Sequence, residues 1–329
     1  MENSRRILFR LASGLLGAAL LSVPLASSAQ TAGSGKIVHL VVPFGPGGGQ
    51  DILARSFNAE LGAALGQPVI FDYRPGAGGM VGSAYVGKAD PASQTLLVGS
   101  AGHTIGALLS SKPPYHPVND FAAVAHIGTG NQILLSNAKV PAKTLQEFIA
   151  YAKANPGKLN YASAGTGSST HLSMAYFINL AGLKIEHIPY KSNAEQISAV
   201  LAGAVQIVGL PNTSALPLAR DTRVRMLAVT SKQRSRFAPD LPTVAESGLP
   251  DYGYDAWFGL LGPAGTPKPF IDRVNAEMAK IIATPVMAER LARMGLEPLV
   301  MSPQAFEQLL RQDYDKLARI VKLSGAKVE

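Results

Sequence analysis

Two glycine-rich stretches carry the residue types best suited to holding a small anion. The first is Pro43-Phe44-Gly45-Pro46-Gly47-Gly48-Gly49-Gln50-Asp51, and the second is Ser163-Ala164-Gly165-Thr166-Gly167-Ser168-Ser169-Thr170-His171. Each lies where an apolar run gives way to helical spacing, so its glycines can bring backbone N–H groups close to a ligand at a helix's positive end. A tight turn that simply needs glycine explains either stretch alone. Two of them, the second with added hydroxyls at Thr166, Ser168, Ser169 and Thr170, are expected to offer N–H and O–H donors to opposite sides of one carboxylate. The first stretch is not a nucleotide loop, because no Gly-Lys-Ser/Thr follows and the Gly-x-Gly-x-x-Gly register is incomplete.

Catalytic chemistry is poorly represented. There is no Gly-x-Ser-x-Gly elbow, and Ser168 with His171 three residues on reads as a helix-capping serine beside a polar wall residue. An exported hydrolase using that pair is the alternative. The histidines at 39, 103, 116, 126, 171 and 187 show no metal-ligand spacing, and the chain has no cysteine, which removes thiolate sites and disulfides. No enzyme activity, metal or cofactor is expected. Ser100 and Tyr190 each follow a strand and are expected to complete the walls of the site; Trp257 lies in a segment expected to cross between lobes.

The elements that must position these loops alternate in type. Ile37–Val42 is a nearly continuous apolar run, as in a strand buried on both faces of a parallel sheet, and Leu53, Phe57, Leu61 and Leu65 then follow helical spacing. Val69–Tyr73 and Thr95–Gly99 read as further strands. A helix opens at Thr144, where Glu147 completes a capping-box pattern, and stops at Asn155-Pro156-Gly157. Strands at 159–161, 185–188 and 205–210 alternate with helices near Ser168 and over 193–201, giving a second βα lobe, and Val224–Thr230 adds a strand. Thr266-Pro267, Thr284-Pro285 and Ser302-Pro303 each announce a closing helix, and all three helices are expected on the first lobe. The fold class is α/β, with lobe 1 over residues 36–124 plus 256–329 and lobe 2 over 125–255.

The 329 residues suffice for two lobes at roughly 100 to 200 residues per domain. Residues 1–29 read as a signal peptide: Arg5, Arg6 and Arg10 precede or open the apolar run Leu11–Leu25, which ends in Ala26-Ser27-Ser28-Ala29. Cleavage near Ala29 and a periplasmic location follow; the export route, Sec or twin-arginine, stays open. Removing Arg5, Arg6, Arg10 and Glu2 with the leader lowers the formal charge from +8 to +6. The basic residues are scattered without interleaved aromatics, which excludes a nucleic-acid stripe but suits steering of small anions.

At its loops the chain resembles the substrate-binding proteins of tripartite tricarboxylate transporters, the Bug family of bacterial periplasmic receptors. The resemblance rests on Pro43-Phe44-x-Pro46-Gly47-Gly48-x-x-Asp51, Arg74-Pro75-Gly76-Ala77-Gly78, Asn155–Tyr161, Ser163-Ala164-Gly165-x-Gly167–Leu172, Pro189-Tyr190-Lys191, Leu241–Glu246 and Gly262–Pro267, in that order along the mature chain. It implies a type II periplasmic-binding-protein fold, two βα lobes closing on a ligand in the cleft between them. It also implies that a carboxylate is held by main-chain amides, hydroxyls and bridging waters from Phe44–Asp51 and Ser163–Thr170. The expected ligand is a small mono-, di- or tricarboxylate, amino acid or aromatic acid. The expected partners are membrane permease subunits or, alternatively, a sensor-kinase ectodomain, with the receptor itself a monomer. Gln50, Ala92-Ser93-Gln94, Ser192 and Ala204 depart from the usual family pattern. Gln50 could add an amide donor and acceptor beside the first loop.

Overall fold

The computed structural model describes residues 36–47, 49–190 and 192–324. The expected signal peptide, Gly48 and Lys191 lie outside the described residues.

The chain builds two sheets. The first collects β1 (Val38–Val42), β2 (Val69–Tyr73), β3 (Thr95–Ser100) and β4 (Phe121–Gly130), separated by helices α1 (Gly49–Leu65), α2 (Met80–Gly87) and α3 (Ala101–Leu109). The second collects β5 (Gln132–Asn137), β6 (Asn160–Ser163), β7 (Glu186–Pro189), β8 (Ile207–Pro211) and β9 (Val224–Val229), with α4 (Leu145–Ala154), α5 (Ser169–Leu180), α6 (Asn193–Ala202) and the short α7 (Asn212–Ala215) between them. The chain then returns to the first sheet through β10 (Ala256–Pro263), α8 (Lys268–Ile282), α9 (Pro285–Arg293), β11 (Leu296–Pro298) and α10 (Pro303–Ser324).

Strand order is β11-β4-β10-β3-β1-β2 in one sheet and β7-β6-β8-β5-β9 in the other. The two share one plan. Three parallel strands (β1–β3; β6–β8) are joined by a strand arriving from the other lobe (β10; β5), which runs antiparallel to its neighbours. Parallel strands need both faces covered, and β1 accordingly buries every residue but His39. One face of the first sheet packs Leu40, Val42, Leu96 and Val98 against Leu53, Phe57 and Leu61 of α1 and Val274 and Met278 of α8; the other places Val41, Leu97 and Leu261 against Trp257 and Phe306.

Two short passages join the lobes. β4 runs into β5 through the single residue Asn131, so the first sheet continues to Gly130, past the 124/125 boundary expected from the sequence. The return passes through Tyr254 and Asp255 into β10.

Two of the three closing helices start as their sequence signals require: Thr284 Oγ1 accepts from the Met287 amide and Ser302 Oγ from that of Ala305. At the third, Thr266 Oγ1 turns back to the Pro263 carbonyl, and Pro267 holds the cap position. Phe306 of α10 reaches the first sheet because Gly259 leaves it room: a Cβ there would lie 2.6 Å from the Phe306 ring and 2.7 Å from the Ala125 carbonyl oxygen. Further along, Leu317 and Ile320 enter the core of the second lobe with Phe177 and Tyr252. The helix therefore spans both lobes rather than packing on the first alone. Its amphipathic pattern requires burial but does not specify which lobe supplies the partner.

Candidate functional site

The loop after β1 is braced by its own acidic residue. Asp51 accepts from the Gly47 amide at 2.7 Å, from the Tyr73 hydroxyl at 2.6 Å and from Arg55 Nε at 2.9 Å. Burial alone would raise its pKa, but these donors hold it below the ordinary carboxylate value. Asp51 thus shapes the loop from behind, and its carboxylate is fully engaged there. Phe44 lies against Gly79, where a Cβ would come within 3.2 Å of its ring. Gln50 reaches across to β3 and donates from Nε2 to Ser100 Oγ at 3.2 Å. Ser100 occupies the cap position of α3 but makes no side-chain capping bond.

The loop after β6 closes on itself. The amide of Ala164 donates to Thr170 Oγ1 (2.9 Å), that of Gly165 to Ser163 Oγ (3.2 Å), that of Gly167 to His171 Nδ1 (3.0 Å) and that of Ser168 to the Gly165 carbonyl (3.1 Å). Most of the N–H groups expected to face a ligand are therefore used within the loop. Ser168 caps α5 by accepting from the backbone amide of His171 at 3.2 Å. The His171 ring is buried and turned toward Gly167, so Ser168 and His171 do not pair hydroxyl to imidazole, and the hydrolase alternative that used those two residues loses its nucleophile–base contact. Beneath the loop His171 stacks on His187 at 4.1 Å between centroids, and His187 Nε2 lies 2.6 Å from Ser163 Oγ. Burial, with the adjacent His187 adding to it, lowers the His171 pKa to about 4; burial lowers that of His187 as well.

A cavity of about 360 Å³ lies between the lobes. Of the residues expected at the site, Phe44, Gly49, Gln50, Ser100 and Ser169 line it. Gly45, Pro46, Asp51, Ser163, Ala164, Thr166, Gly167, Ser168, Thr170, His171 and Tyr190 are not among its lining residues; Tyr190 packs against the apolar core of the second lobe. Among the residues that sequence reasoning missed, Asn131 and Tyr254 come from the passages between lobes, Met294 from the turn before β11, and Gln132, Asn212 and Phe258 from β5, α7 and β10 beside them. Their only sequence signal was the expectation that the segment from Tyr254 crosses between lobes.

Among the described residues no charged side chain lines the cavity. Its polarity comes from amides and hydroxyls. Gln132 Nε2 donates to Ser169 Oγ (3.1 Å), whose other neighbour is the Tyr254 hydroxyl (3.1 Å), and Gln132 Oε1 accepts from Ser173. The buried Asn131 Oδ1 and both side-chain polar atoms of Asn212 have no protein partner. Gly49, Ala101 and Ser169, the first residues of α1, α3 and α5, all line the same space, so three helix N-termini converge on it. Their partial positive charge favours an anion without any cationic side chain. Among the described residues no cluster of His, Cys, Asp or Glu could hold a metal ion.

The lobes touch beside the cavity. Gly295, with φ +68°, lies so near α7 that a Cβ would sit 2.9 Å from Thr213 Cγ2, and Ser235 Oγ donates to Glu297 Oε1 at 2.6 Å.

Comparison with known proteins gives this arrangement its context. Residues 53–326 match the model of the tripartite tricarboxylate transporter family receptor. The chain is 31% identical over 296 residues to Protein BugT of Bordetella pertussis, covering 89% of this chain and 90% of that one. It is similar to the solved structure of R. palustris Rpa4515 with adipate (30% identity, TM-score 0.72, covering 89% of this chain and 99% of that one). It is also similar to MatC from Rhodopseudomonas palustris with bound malate (31%, TM-score 0.68, covering 87% and 99%). A two-lobed α/β architecture with a cleft fed by three helix N-termini, matched to that family along most of its length, is that of a solute receptor rather than an enzyme, and the chain belongs to the tripartite tricarboxylate transporter receptor family.

Proposed function

We propose that this protein is an exported, periplasmic receptor that captures a small carboxylate in the cavity between its lobes and delivers it to the membrane permease subunits of a tripartite tricarboxylate-type transporter. The observation that carries this reading is the convergence of the N-termini of α1, α3 and α5 on a space whose described walls hold hydrogen-bonding groups but no charge. Such a site attracts a carboxylate through amide and hydroxyl dipoles and leaves no fixed cation for the ligand to escape on release. Adipate and malate in the similar structures are the same chemical class.

The working parts are Gln50 and Ser100 on one wall and Gln132, Ser169 and Tyr254 on the other. Residues 36–130 with 256–302 form one lobe and 132–254 the other, with α10 packed on both; Asn131 and Asp255 are the hinge, and contact between Gly295 and Thr213 marks closure. No helix among the described residues is long and apolar enough to cross a membrane. Isothermal titration of malate, adipate and butyrate, each beside its amide counterpart, into the chain lacking residues 1–29 tests the reading. Carboxylate-dependent heat that saturates at one site supports it; equal behaviour of acid and amide refutes an anion site.

A further inference from the structure

The cavity between the lobes has a neighbour. A second space, of about 520 Å³, shares Gly49, Thr213, Phe258, Met294 and Leu296 with it as common walls. Beyond them it is lined by Ile52, Leu53 and Ser56 of α1 and by Arg290 and Arg293 of α9. Ile52 is half exposed there and presents apolar surface to the space. The two guanidinium groups are already paired, Arg290 with Glu60 at 2.7 Å and Arg293 with Glu289 at 2.6 Å. The space therefore offers hydrocarbon surface and the stems of two arginines, and no unpaired cation among the described residues.

Resting on the reading of the cleft as a carboxylate site, we propose that this second space is an annex of the ligand site and takes the hydrocarbon tail of an elongated monocarboxylate. The head group sits among the helix N-termini, and the tail passes the partition formed by Met294 and Thr213 to lie against Ile52 and Leu53. Met294 suits a partition that yields, because its unbranched side chain repacks at little cost. Both arginines are already engaged, with Glu60 and Glu289, so the far end offers a second carboxylate no unengaged cation.

The test is calorimetric titration of butyrate, hexanoate, octanoate and decanoate, with the matching α,ω-diacids, into the wild-type chain and an Ile52→Trp variant. Ile52 lines the annex alone, so this change fills the annex without touching the central cavity. For monoacids long enough to enter the annex, affinity should rise roughly fourfold per added methylene. Ile52→Trp should abolish that rise and leave butyrate unchanged, and each long diacid should bind more weakly than its monoacid. Binding of short acids with no gain from length, or a gain that persists in Ile52→Trp, overturns the annex and leaves the carboxylate site standing. Failure of every acid, short or long, overturns the underlying reading together with the annex.

Discussion

The hydroxyls of Ser169 and Tyr254 lie 3.1 Å apart, joining the first residue of α5 to the passage by which the chain leaves the second lobe. Gln132, the first residue after the other passage, donates to the same serine oxygen. One hydroxyl thus ties both interlobe passages to a helix N-terminus that faces the cavity. Ser169→Ala should weaken carboxylate binding by about 1 to 2 kcal/mol, roughly five- to thirtyfold, because it leaves Gln132 and Tyr254 without a shared partner. Tyr254→Phe should cost less, since Ser169 keeps its bond from Gln132. Calorimetry on both variants checks the order.

The two lobes meet at a glycine. At Gly295 the left-handed backbone and the 2.9 Å approach that a Cβ would make to Thr213 Cγ2 both disfavour a side chain. Gly295→Ala should shift the protein toward an open form, seen as a larger radius of gyration in small-angle scattering and a lower ligand affinity. Adding Thr213→Ala, which removes the clashing methyl, should restore part of the closure. The backbone penalty, about 1 kcal/mol, should remain.

The loop after β6 is built on neutral imidazole. Nδ1 of His171 accepts from the Gly167 amide and can do so only unprotonated, and His187 stacks beside it, with Tyr161 stacked on His187 in turn. Because burial holds the His171 pKa near 4 against an ordinary 6.5, the unfolded chain binds more protons than the folded one between those values. Stability present above pH 6.5 should therefore fall as pH drops toward 4. His103, buried against Ser83 and the Pro117 carbonyl with its pKa also near 4, adds to the same window. To separate the two, the His171 and His103 ring resonances and the Gly167 amide can be followed by NMR through an acid titration. The Gly167 amide should move with His171 and be insensitive to His103→Asn.

Asp255 works against the fold at neutral pH. Burial raises its pKa to about 6 despite Lys316 nearby, and its Oδ1 has no hydrogen-bond partner. The folded state holds this proton more tightly than the unfolded state, so the penalty appears as pH rises from about 4 through 6. Asp255→Asn should raise the melting temperature at pH 7 and leave it nearly unchanged at pH 4, which differential scanning calorimetry at the two pH values will show.

What was legible in the sequence follows from how local each signal is. The apolar run of β1, the serine and threonine caps before proline, and the two glycine loops are decided within a few residues, and most appear where their spacing requires. β4 was missed because Phe121–Gly130 scatters its larger apolar residues among Ala and Gly, with neither strand alternation nor a turn signal to bound it, and β5 because its apolar run, Ile133–Leu135, is only three residues long. The direction of the Ser163–Ser168 amides was also hidden. It depends on His171 turning its ring back beneath the loop, a tertiary choice that leaves Ser169 as the loop's contribution to the cavity wall. Asn212 and Met294 carried no signal, because their place in the site comes from two lobes meeting.

The central claim, capture of a carboxylate between the lobes, is tested most directly by the melting temperature of the chain lacking residues 1–29 across a panel of carboxylates with their uncharged amides as controls. A ligand that binds only the folded state raises stability by mass action, by about 2.7 kcal/mol at a hundred times its dissociation constant. The account predicts a saturable rise with one class of carboxylate, lost with the matching amide and diminished in Ser169→Ala. No rise with any carboxylate, together with mass spectrometry of the denatured protein that finds no acid carried through purification, would contradict it.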